Sequence, residues 1–252
     1  MKRITLLLLA TLALTSARAE DKVEEYGIFD RVGAGLTLGT DGIGIEVAAP
    51  ITNYAAVRAG FAFWPKIKYS EKVNYKSDLY PSGDPRNDMT TRVQGKLNMF
   101  DGKVLFDAYP FGTRNSFHVT VGAYFGSSEI IKLTNLDPIE RKDHLSGIEV
   151  GDYLIHENDE GFINANVKVN GFKPYVGVGF GRAVPKKRVG VAMDLGVMFH
   201  GKPSVNAFSP DDDKWVKVTS GDTGTEDNGI IDKICKVTVF PVLNIRITGR
   251  IF

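Results

Sequence analysis

Residues 237–252 read Val-Thr-Val-Phe-Pro-Val-Leu-Asn-Ile-Arg-Ile-Thr-Gly-Arg-Ile-Phe, an alternating segment that ends on an aromatic residue, Phe252. A period of two predicts a β-strand with one apolar and one polar face. The apolar face holds Leu243, Ile245, Ile247 and Ile251. Phe252 is in phase with the polar face, so either Gly249 marks a bulge that resets the alternation or Phe252 turns to the polar side.

The opposite end of the chain carries an export signal. Two basic residues precede the apolar run 4–14, which is too short to span a bilayer as a helix, and residues 17–19 read Ala-Arg-Ala, a typical cleavage site. We predict that residues 1–19 are a signal peptide that is removed and that residues 20–252 form a single domain. Removal of three basic residues changes the net charge from +1 to −2, which gives no reason to expect a nucleic-acid partner.

Eight alternating segments recur along the chain. Each has one apolar face, the opposite face is small or charged, and no long segment has helical periodicity. Repeated strands of this kind predict an all-β sandwich or barrel. The segments lie near residues 27–40, 42–50, 54–69, 93–109, 116–131, 162–183, 189–201 and 237–252.

The connections between the strands distinguish a membrane barrel from a soluble sandwich. Short links alternate with long links near 66–93, 132–161 and 202–236, as they do on the two sides of bacterial barrels. Most strands reach the about 9–11 residues that cross a bilayer, and aromatic residues gather at strand ends. We therefore predict an all-β fold, an eight-stranded antiparallel up-and-down transmembrane β-barrel with three long extracellular loops. A soluble lipocalin-like barrel is the structural alternative.

The second long link contains two further alternating stretches, 148–155 and 162–169. Counting the first as a membrane strand would place the last strand's end on the wrong side of the membrane. We therefore predict that the two stretches pair as a hairpin above the membrane, and that the second continues into the sixth barrel strand.

The signal peptide, the eight strands and the terminal Phe252 resemble the small Gram-negative outer-membrane barrels of the OmpA/OmpX/OmpW type. The stretches 122–127 (GAYFGS), 172–182 (FKPYVGVGFGR) and 241–244 (PVLN) resemble an uncharacterised outer-membrane protein family of this kind. The resemblance covers nearly all of the mature chain and implies a porin-like or OmpA-like barrel in the cell outer membrane. It carries no catalytic motif, and we expect no peptidoglycan-binding module of the kind that full OmpA proteins have.

If the apolar faces meet lipid, the other faces line the lumen. An eight-stranded barrel is barely wide enough for its own side chains, and an isolated buried charge is very costly. We therefore predict a luminal charge network in which the carboxylates neutralise the cations. Such a network either packs a plugged lumen, which is the favoured interpretation, or gates a solute path. Its members are Glu46, Arg58, Lys103, Asp107, Asp194 and Arg246. Arg31, His118, His200 and Arg250 are also expected to face inward.

Two weaker candidate sites lie at the outer side. His200 and Ser204, with Asp194 nearby, form a candidate outer-rim site of the kind used by lipid A hydrolases and acyltransferases, but the spacing matches no known signature. The last loop holds acidic stretches at 211–213 and 221–229, whose spacing is not that of an EF-hand. We therefore predict no catalytic residue, no metal site and no cofactor.

Three function classes follow. The favoured one is a non-enzymatic surface barrel whose loops contact external or neighbouring proteins. The second is a narrow channel or a barrel that binds small hydrophobic ligands, and the third is a lipid A-modifying enzyme. The expected partners are outer-membrane lipid and lipopolysaccharide, the barrel-assembly machinery through the terminal strand, and a surface protein or small-molecule ligand.

Overall fold

The computed structural model describes residues 27, 30–76, 80–139, 147–150, 153–209, 213–218 and 236–251. The predicted signal peptide, the acidic stretch 221–229 and Phe252 therefore lie outside the described residues. None of the described residues forms a helix long and apolar enough to cross a membrane.

The described part of the chain is almost entirely strand, with two single 3-10 turns at Pro85–Asn87 and Gly112–Arg114. In chain order the strands are β1 (Gly33–Gly39), β2 (Gly42–Thr52), β3 (Ala55–Phe63), β4 (Ile67–Lys76), β5 (Asp88–Leu97), β6 (Phe100–Ala108), β7 (Phe117–Gly126), β8 (Glu129–Asn135), β9 (Gly147–Val150), β10 (Tyr153–His156), β11 (Asn164–Lys168), β12 (Phe172–Phe180), β13 (Val189–Phe199), β14 (Ser204–Ser209), β15 (Lys214–Val218) and β16 (Val239–Arg250).

Eight of these strands close into a barrel in the order β1-β16-β13-β12-β7-β6-β3-β2. Each pairs antiparallel with its neighbours, and β1 closes the ring by pairing with both β2 and β16. Closure leaves no free edge, so every backbone polar group of the ring can pair within the protein. The predicted eight-stranded antiparallel up-and-down barrel is confirmed.

Side chains alternate across most of the barrel wall. Leu36, Leu195 and Ile247 on the outer surface are each more than half exposed, whereas Arg246 and His118 on the inner surface are fully buried. This is the reverse of a water-soluble protein, in which apolar side chains are buried and charges meet water. An exposed apolar belt around a charged interior is the arrangement of a transmembrane barrel.

Aromatic side chains ring both ends of this belt. Phe63, Phe100 and Phe125 are exposed at one end, and Phe111 and Phe180 at the other. Facing strands place them in pairs: the ring centroids of Phe125 and Phe172 are 5.2 Å apart. Such rings are typical of the two interfaces between membrane and water.

A second, six-stranded sheet rises from one end of the barrel, called here the outer end, in the order β15-β14-β11-β8-β5-β4. Its hairpins continue barrel strands: β4 and β5 follow β3 and precede β6, and β8 and β11 lie between β7 and β12. The long links predicted as loops therefore extend the barrel wall. Among the described residues no strand of the outer sheet follows β1 or β2, which are joined by a tight turn at residues 40–41.

One face of this outer sheet carries an apolar cluster. Ala165 and Val167 on β11 and Ala207 on β14 pack with Ile139 and Ile163, which belong to covering segments outside the sheet. The cluster gives the outer sheet a small core of its own, separate from the barrel lumen.

One local prediction is corrected, and one of the two alternatives for the last strand is excluded. Stretch 148–155 does not pair with 162–169, because β9 pairs with β10 within the first stretch and β11 pairs with β8 and β14. Pairing with both β8 and β14 gives β11 two neighbours in the outer sheet, whereas an isolated hairpin would give it one. The continuation of the second stretch into the sixth barrel strand, β12, is confirmed. There is no bulge at Gly249, which stays in register with Ala34 and Val189.

Candidate functional site

The centre of the lumen holds a network of buried ion pairs. Arg58 Nη2 on β3 lies 2.8 Å from Asp107 Oδ1 on β6 and 3.2 Å from Asp194 Oδ1 on β13. Arg246 Nη1 on β16 lies 3.0 Å from Glu46 Oε1 on β2 and 3.6 Å from Asp194 Oδ2. Five strands on different sides of the barrel therefore meet through charged side chains at one level.

Lys103 on β6 completes this network, with its Nζ 3.3 Å from Glu46 Oε2. The structure thus brings together all six residues of the predicted luminal charge network. Three carboxylates face three cations, and each side chain is at most 5 % exposed. Charges removed from water to this degree require close partners, because desolvation costs several kcal/mol per ion.

His118 joins the network through a contact that the sequence did not indicate. Its Nε2 lies 2.8 Å from Asp194 Oδ1, and its Nδ1 lies 3.2 Å from the carbonyl oxygen of Ser116. The ring of Tyr109 lies against it, with centroids 5.4 Å apart. Asp194 consequently contacts Arg58, Arg246 and His118. Glu46 likewise has three partners.

An aromatic layer covers the network on the outer side. Tyr124 and Tyr175 pack edge to face with centroids 5.6 Å apart and form a buried cluster with Leu105, Met198 and Val242. A β-carbon at Gly177 would collide with the phenol oxygen of Tyr175, and the same holds at Gly196. These inward glycines therefore make room for Tyr175 to lie across the lumen.

A second ion pair closes the lumen above the aromatic layer. Lys173 Nζ lies 2.7 Å from Asp101 Oδ1 and also donates to the carbonyl oxygen of Ser127. Beside it, the Tyr124 hydroxyl donates to Asp41 Oδ2 at 3.2 Å. The sequence analysis missed this pair, although Asp101 is in phase with Lys103, and Lys173 is in phase with Tyr175. Extending each alternation by one step would have found both residues.

Small side chains close the other end of the lumen. Ala48, Ala56, Ala183 and Val184 cluster with Tyr109, whose hydroxyl oxygen accepts a hydrogen bond from the backbone N–H of Ala183 at 2.8 Å. The guanidinium of Arg182 lies over the Tyr109 ring, 4.9 Å from its centroid. The charged layer therefore lies between two layers that contain aromatic and apolar side chains.

Several polar atoms in the charged layer have hydrogen-bonding capacity left over. Asp107 Oδ2, Arg246 Nε and Arg246 Nη2 are buried without a hydrogen-bond partner among the described residues. Asn244 Oδ1 and Thr248 Oγ1 on β16 share this state. Buried polar atoms that lack a hydrogen-bond partner are the usual binding sites of internal water molecules.

The predicted outer-rim site is not assembled as a triad. His200 follows β13 directly and Ser204 begins β14, but Asp194 lies six residues below His200 along β13, roughly 20 Å in an extended strand. Asp194 is also occupied by Arg58, Arg246 and His118. Burial lowers the pKa of His200 below its ordinary value. Among the described residues no group of three His, Cys, Asp or Glu is placed to hold a metal ion.

Comparisons with known proteins add little beyond the fold. No family model matches the chain, and no curated protein matches it. Among solved structures, Acinetobacter baumannii CarO2 is similar at 20 % identity and a TM-score of 0.49, covering 89 % of this chain and 99 % of that one. Acinetobacter baumannii CarO is similar at 20 % identity and a TM-score of 0.44, covering 87 % and 97 %. These similarities are weak, and the assignment of the chain as a small barrel of the outer-membrane type rests on its strand pairing and its exposed apolar belt.

Proposed function

We propose that the protein is an integral outer-membrane barrel that neither conducts solutes nor catalyses a reaction. In this proposal the lumen is a structural plug, and the outer sheet presents the surface that meets external or neighbouring proteins. The export signal predicted at residues 1–19 and the closed ring support the location, because β-barrels of this build are proteins of outer membranes.

The burial of side chains along the whole lumen supports the proposal that the lumen is closed. Side chains at three successive levels are almost without contact with solvent: Lys173 at the outer end, Arg246 in the centre and Tyr109 at the inner end are each at most 2 % exposed. An open pore would expose its lining at each level. An eight-stranded barrel has room for side chains and little else, which agrees with this filling.

The outer sheet is the part of the molecule best suited to contacts. Its strand edges at β4 and β15 have no partner strand among the described residues, and free edges are sites at which other chains add. Exposed aromatic side chains there include Tyr69 and Trp215. Both residue types are enriched in protein interfaces.

Planar-bilayer recording tests the proposal directly. The wild-type barrel is purified from outer-membrane fractions, shown to migrate faster on a detergent gel when unheated, and reconstituted. We expect no discrete current steps. A matched variant, Tyr124→Ala/Tyr175→Ala/Met198→Ala, removes the outer aromatic layer. It controls for insertion, because ions should pass through its lumen when the side chain of Lys173 moves aside. Stable single-channel steps from the wild type, absent from empty detergent, would contradict the proposal.

A narrow channel is the second candidate, and the unpaired polar atoms around Arg246 favour it. A water-filled path along Asp107 and Arg246 would use that spare capacity. The same recording distinguishes the two candidates, because a channel predicts wild-type conductance whose ion selectivity changes on Asp107→Asn. A lipid A-modifying enzyme is the third candidate, and it predicts that His200→Ala abolishes the modification of lipid A in cells.

A further inference from the structure

A single row of hydrogen-bond donors crosses the whole outer sheet. Cross-strand pairing places Lys68 opposite Lys96, Lys96 opposite Lys132, and Lys132 opposite Asn166. The row continues from Asn166 to Asn206 and from Asn206 to Lys217. Directly paired residues point to the same face of a sheet. These six side chains, which we call the lysine row, therefore stand side by side on one face at one height.

The lysine row points away from the barrel axis. From β11 into β12, Val169 N and Gly171 O bond toward β7 and β8, and Asn170 N bonds toward His200. The register irregularity at Val167/Lys168 skips Ile130 on β8 and leaves the alternation along β11 in place. Of the odd-numbered residues from Ala165 to Lys173, all but the half-buried Gly171 are buried toward the axis. The row therefore stands on the opposite face, where Asn166 itself is buried beneath its neighbours and the lysines are more exposed. The apolar cluster of the outer sheet occupies the axial face.

Among the described residues, the lysines of the row outnumber the carboxylates beside it. Three lysines lie directly opposite one another on β4, β5 and β8, and like charges in that position destabilise a sheet. Glu129, on β8 below the row, accepts a hydrogen bond from Asn166 Nδ2 at 2.8 Å. Lys168 adds a further cation one step nearer the barrel, with its Nζ over the ring of Trp215. An external anion would relieve the repulsion among the lysines.

The height of the row indicates which anion. Lys96 lies four residues above Phe100, and Lys68 lies five residues above Phe63, roughly 13–17 Å along an extended strand. Both phenylalanines belong to the exposed aromatic ring at the outer end of the apolar belt. The row therefore lies beyond the hydrocarbon, at the level of lipid headgroups.

We propose that the lysine row binds the phosphate groups of a phosphorylated sugar headgroup, that of lipopolysaccharide in the outer leaflet. The inference rests on the outer-membrane location proposed above. Ammonium groups bind phosphate through charge-assisted hydrogen bonds. The half-buried Asn206 adds an amide that suits sugar hydroxyls. Trp215 adds an aromatic surface beside the row. It packs edge to face with Phe208, its cross-strand partner, two residues along the strands from Asn206 and Lys217.

The test compares two triple variants of the full chain. Lys68→Gln/Lys96→Gln/Lys132→Gln removes the three opposed charges, and Lys186→Gln/Lys187→Gln/Arg188→Gln removes the same charge from the turn at the inner end of the barrel. Each protein is purified in neutral detergent and accepted only if its migration is heat-modifiable. Binding of fluorescently labelled lipopolysaccharide is then measured by anisotropy at two salt concentrations.

We expect the row variant to bind roughly tenfold more weakly or worse, as loss of several charge-assisted contacts implies, and the inner-end variant to bind like the wild type. Enzymatically dephosphorylated lipopolysaccharide should bind the wild type as weakly as the intact lipid binds the row variant. Equal binding of all three proteins, or of both lipids, would overturn the proposal. Competition by millimolar inorganic phosphate alone would instead assign the row to free phosphate and also overturn it.

This experiment is independent of conductance. A wild-type protein that conducts contradicts the plugged lumen and leaves the binding comparison unchanged. A variant that loses binding while the wild type stays closed supports both proposals.

Discussion

Arg246 and Glu46 meet across the barrel interior, Nη1 to Oε1 at 3.0 Å, although the strands that carry them, β16 and β2, are separated by β1. The contact crosses part of the lumen and is not a cross-strand pair of neighbouring strands. Together with the contacts of Asp194 to Arg58 and His118, it ties together strands of the ring that share no backbone hydrogen bond.

Replacement of Arg246 by Met should destabilise the barrel strongly. The change leaves Glu46 with the more distant Arg58 and Lys103, and it removes one partner of Asp194. Breaking a buried pair on one side costs about 3–5 kcal/mol. Urea unfolding in detergent, followed by loss of heat-modifiable migration, measures this. Arg250→Met, at the inner rim, is the matched control and should cost far less, and equal losses for the two variants would argue against the network's role.

The pair Lys173 and Asp101 allows a cleaner separation of charge from packing. Lys173→Met alone leaves a buried carboxylate and should cost about 3–5 kcal/mol, whereas Lys173→Met with Asp101→Leu should recover much of that loss, because apolar replacements of buried pairs are often nearly neutral. Unfolding of the wild type, both single variants and the double variant gives the coupling. Additive losses would indicate that the two side chains do not interact.

Gly177→Ala tests the close approach of Tyr175 to the wall. The added methyl group would meet the Tyr175 phenol and lie 2.9 Å from the carbonyl oxygen of Leu195. Crowding of this kind costs about 1–3 kcal/mol, in spite of the better strand propensity of alanine. The penalty should shrink in a Tyr175→Leu background, in which the phenol is gone. A penalty of the same size in both backgrounds would place the clash at the backbone alone.

A cation on the apolar belt tests the membrane assignment. Leu195 lies near the middle of β13 and is 56 % exposed, whereas Phe199 ends the strand. Arginine at the bilayer midplane costs about 2–4 kcal/mol, and near the interface about 0–1 kcal/mol. Leu195→Arg should therefore lower folding into lipid vesicles much more than Phe199→Arg. Similar effects at the two positions would indicate that β13 does not cross a bilayer.

The barrel could be predicted because alternation is a local property. Each barrel strand repeats apolar and small or charged residues with period two, and the apolar side chains of β13 and β16 face outward as the pattern indicates. The outer sheet was harder to predict, because β4 carries Lys68, Ser70 and Lys72 on one face and resembles a solvated loop. Its pairing with β5 depends on contacts that sequence periodicity does not encode.

The same limit applies to the lumen. Alternation indicates which charges point inward, but the stagger of the strands decides which of them meet. His118 on β7 reaches Asp194 on β13 across the intervening β12, and no spacing along the chain reveals that contact. The residues of the network could therefore be predicted, and their partners could not.

Among the described residues no strand of the outer sheet stands above β1 or β2, and this bears on how the two parts of the molecule are held. The seam that closes the cylinder joins β1 to β16, and neither strand takes part in any ladder of the outer sheet. The ladders of the outer sheet are therefore complete without the seam. Closure of β1 on β16 adds no bond to those ladders, and at the rim it brings Thr40 N to Leu243 O at 3.0 Å. The cylinder and the sheet above it are thus held by separate sets of backbone bonds.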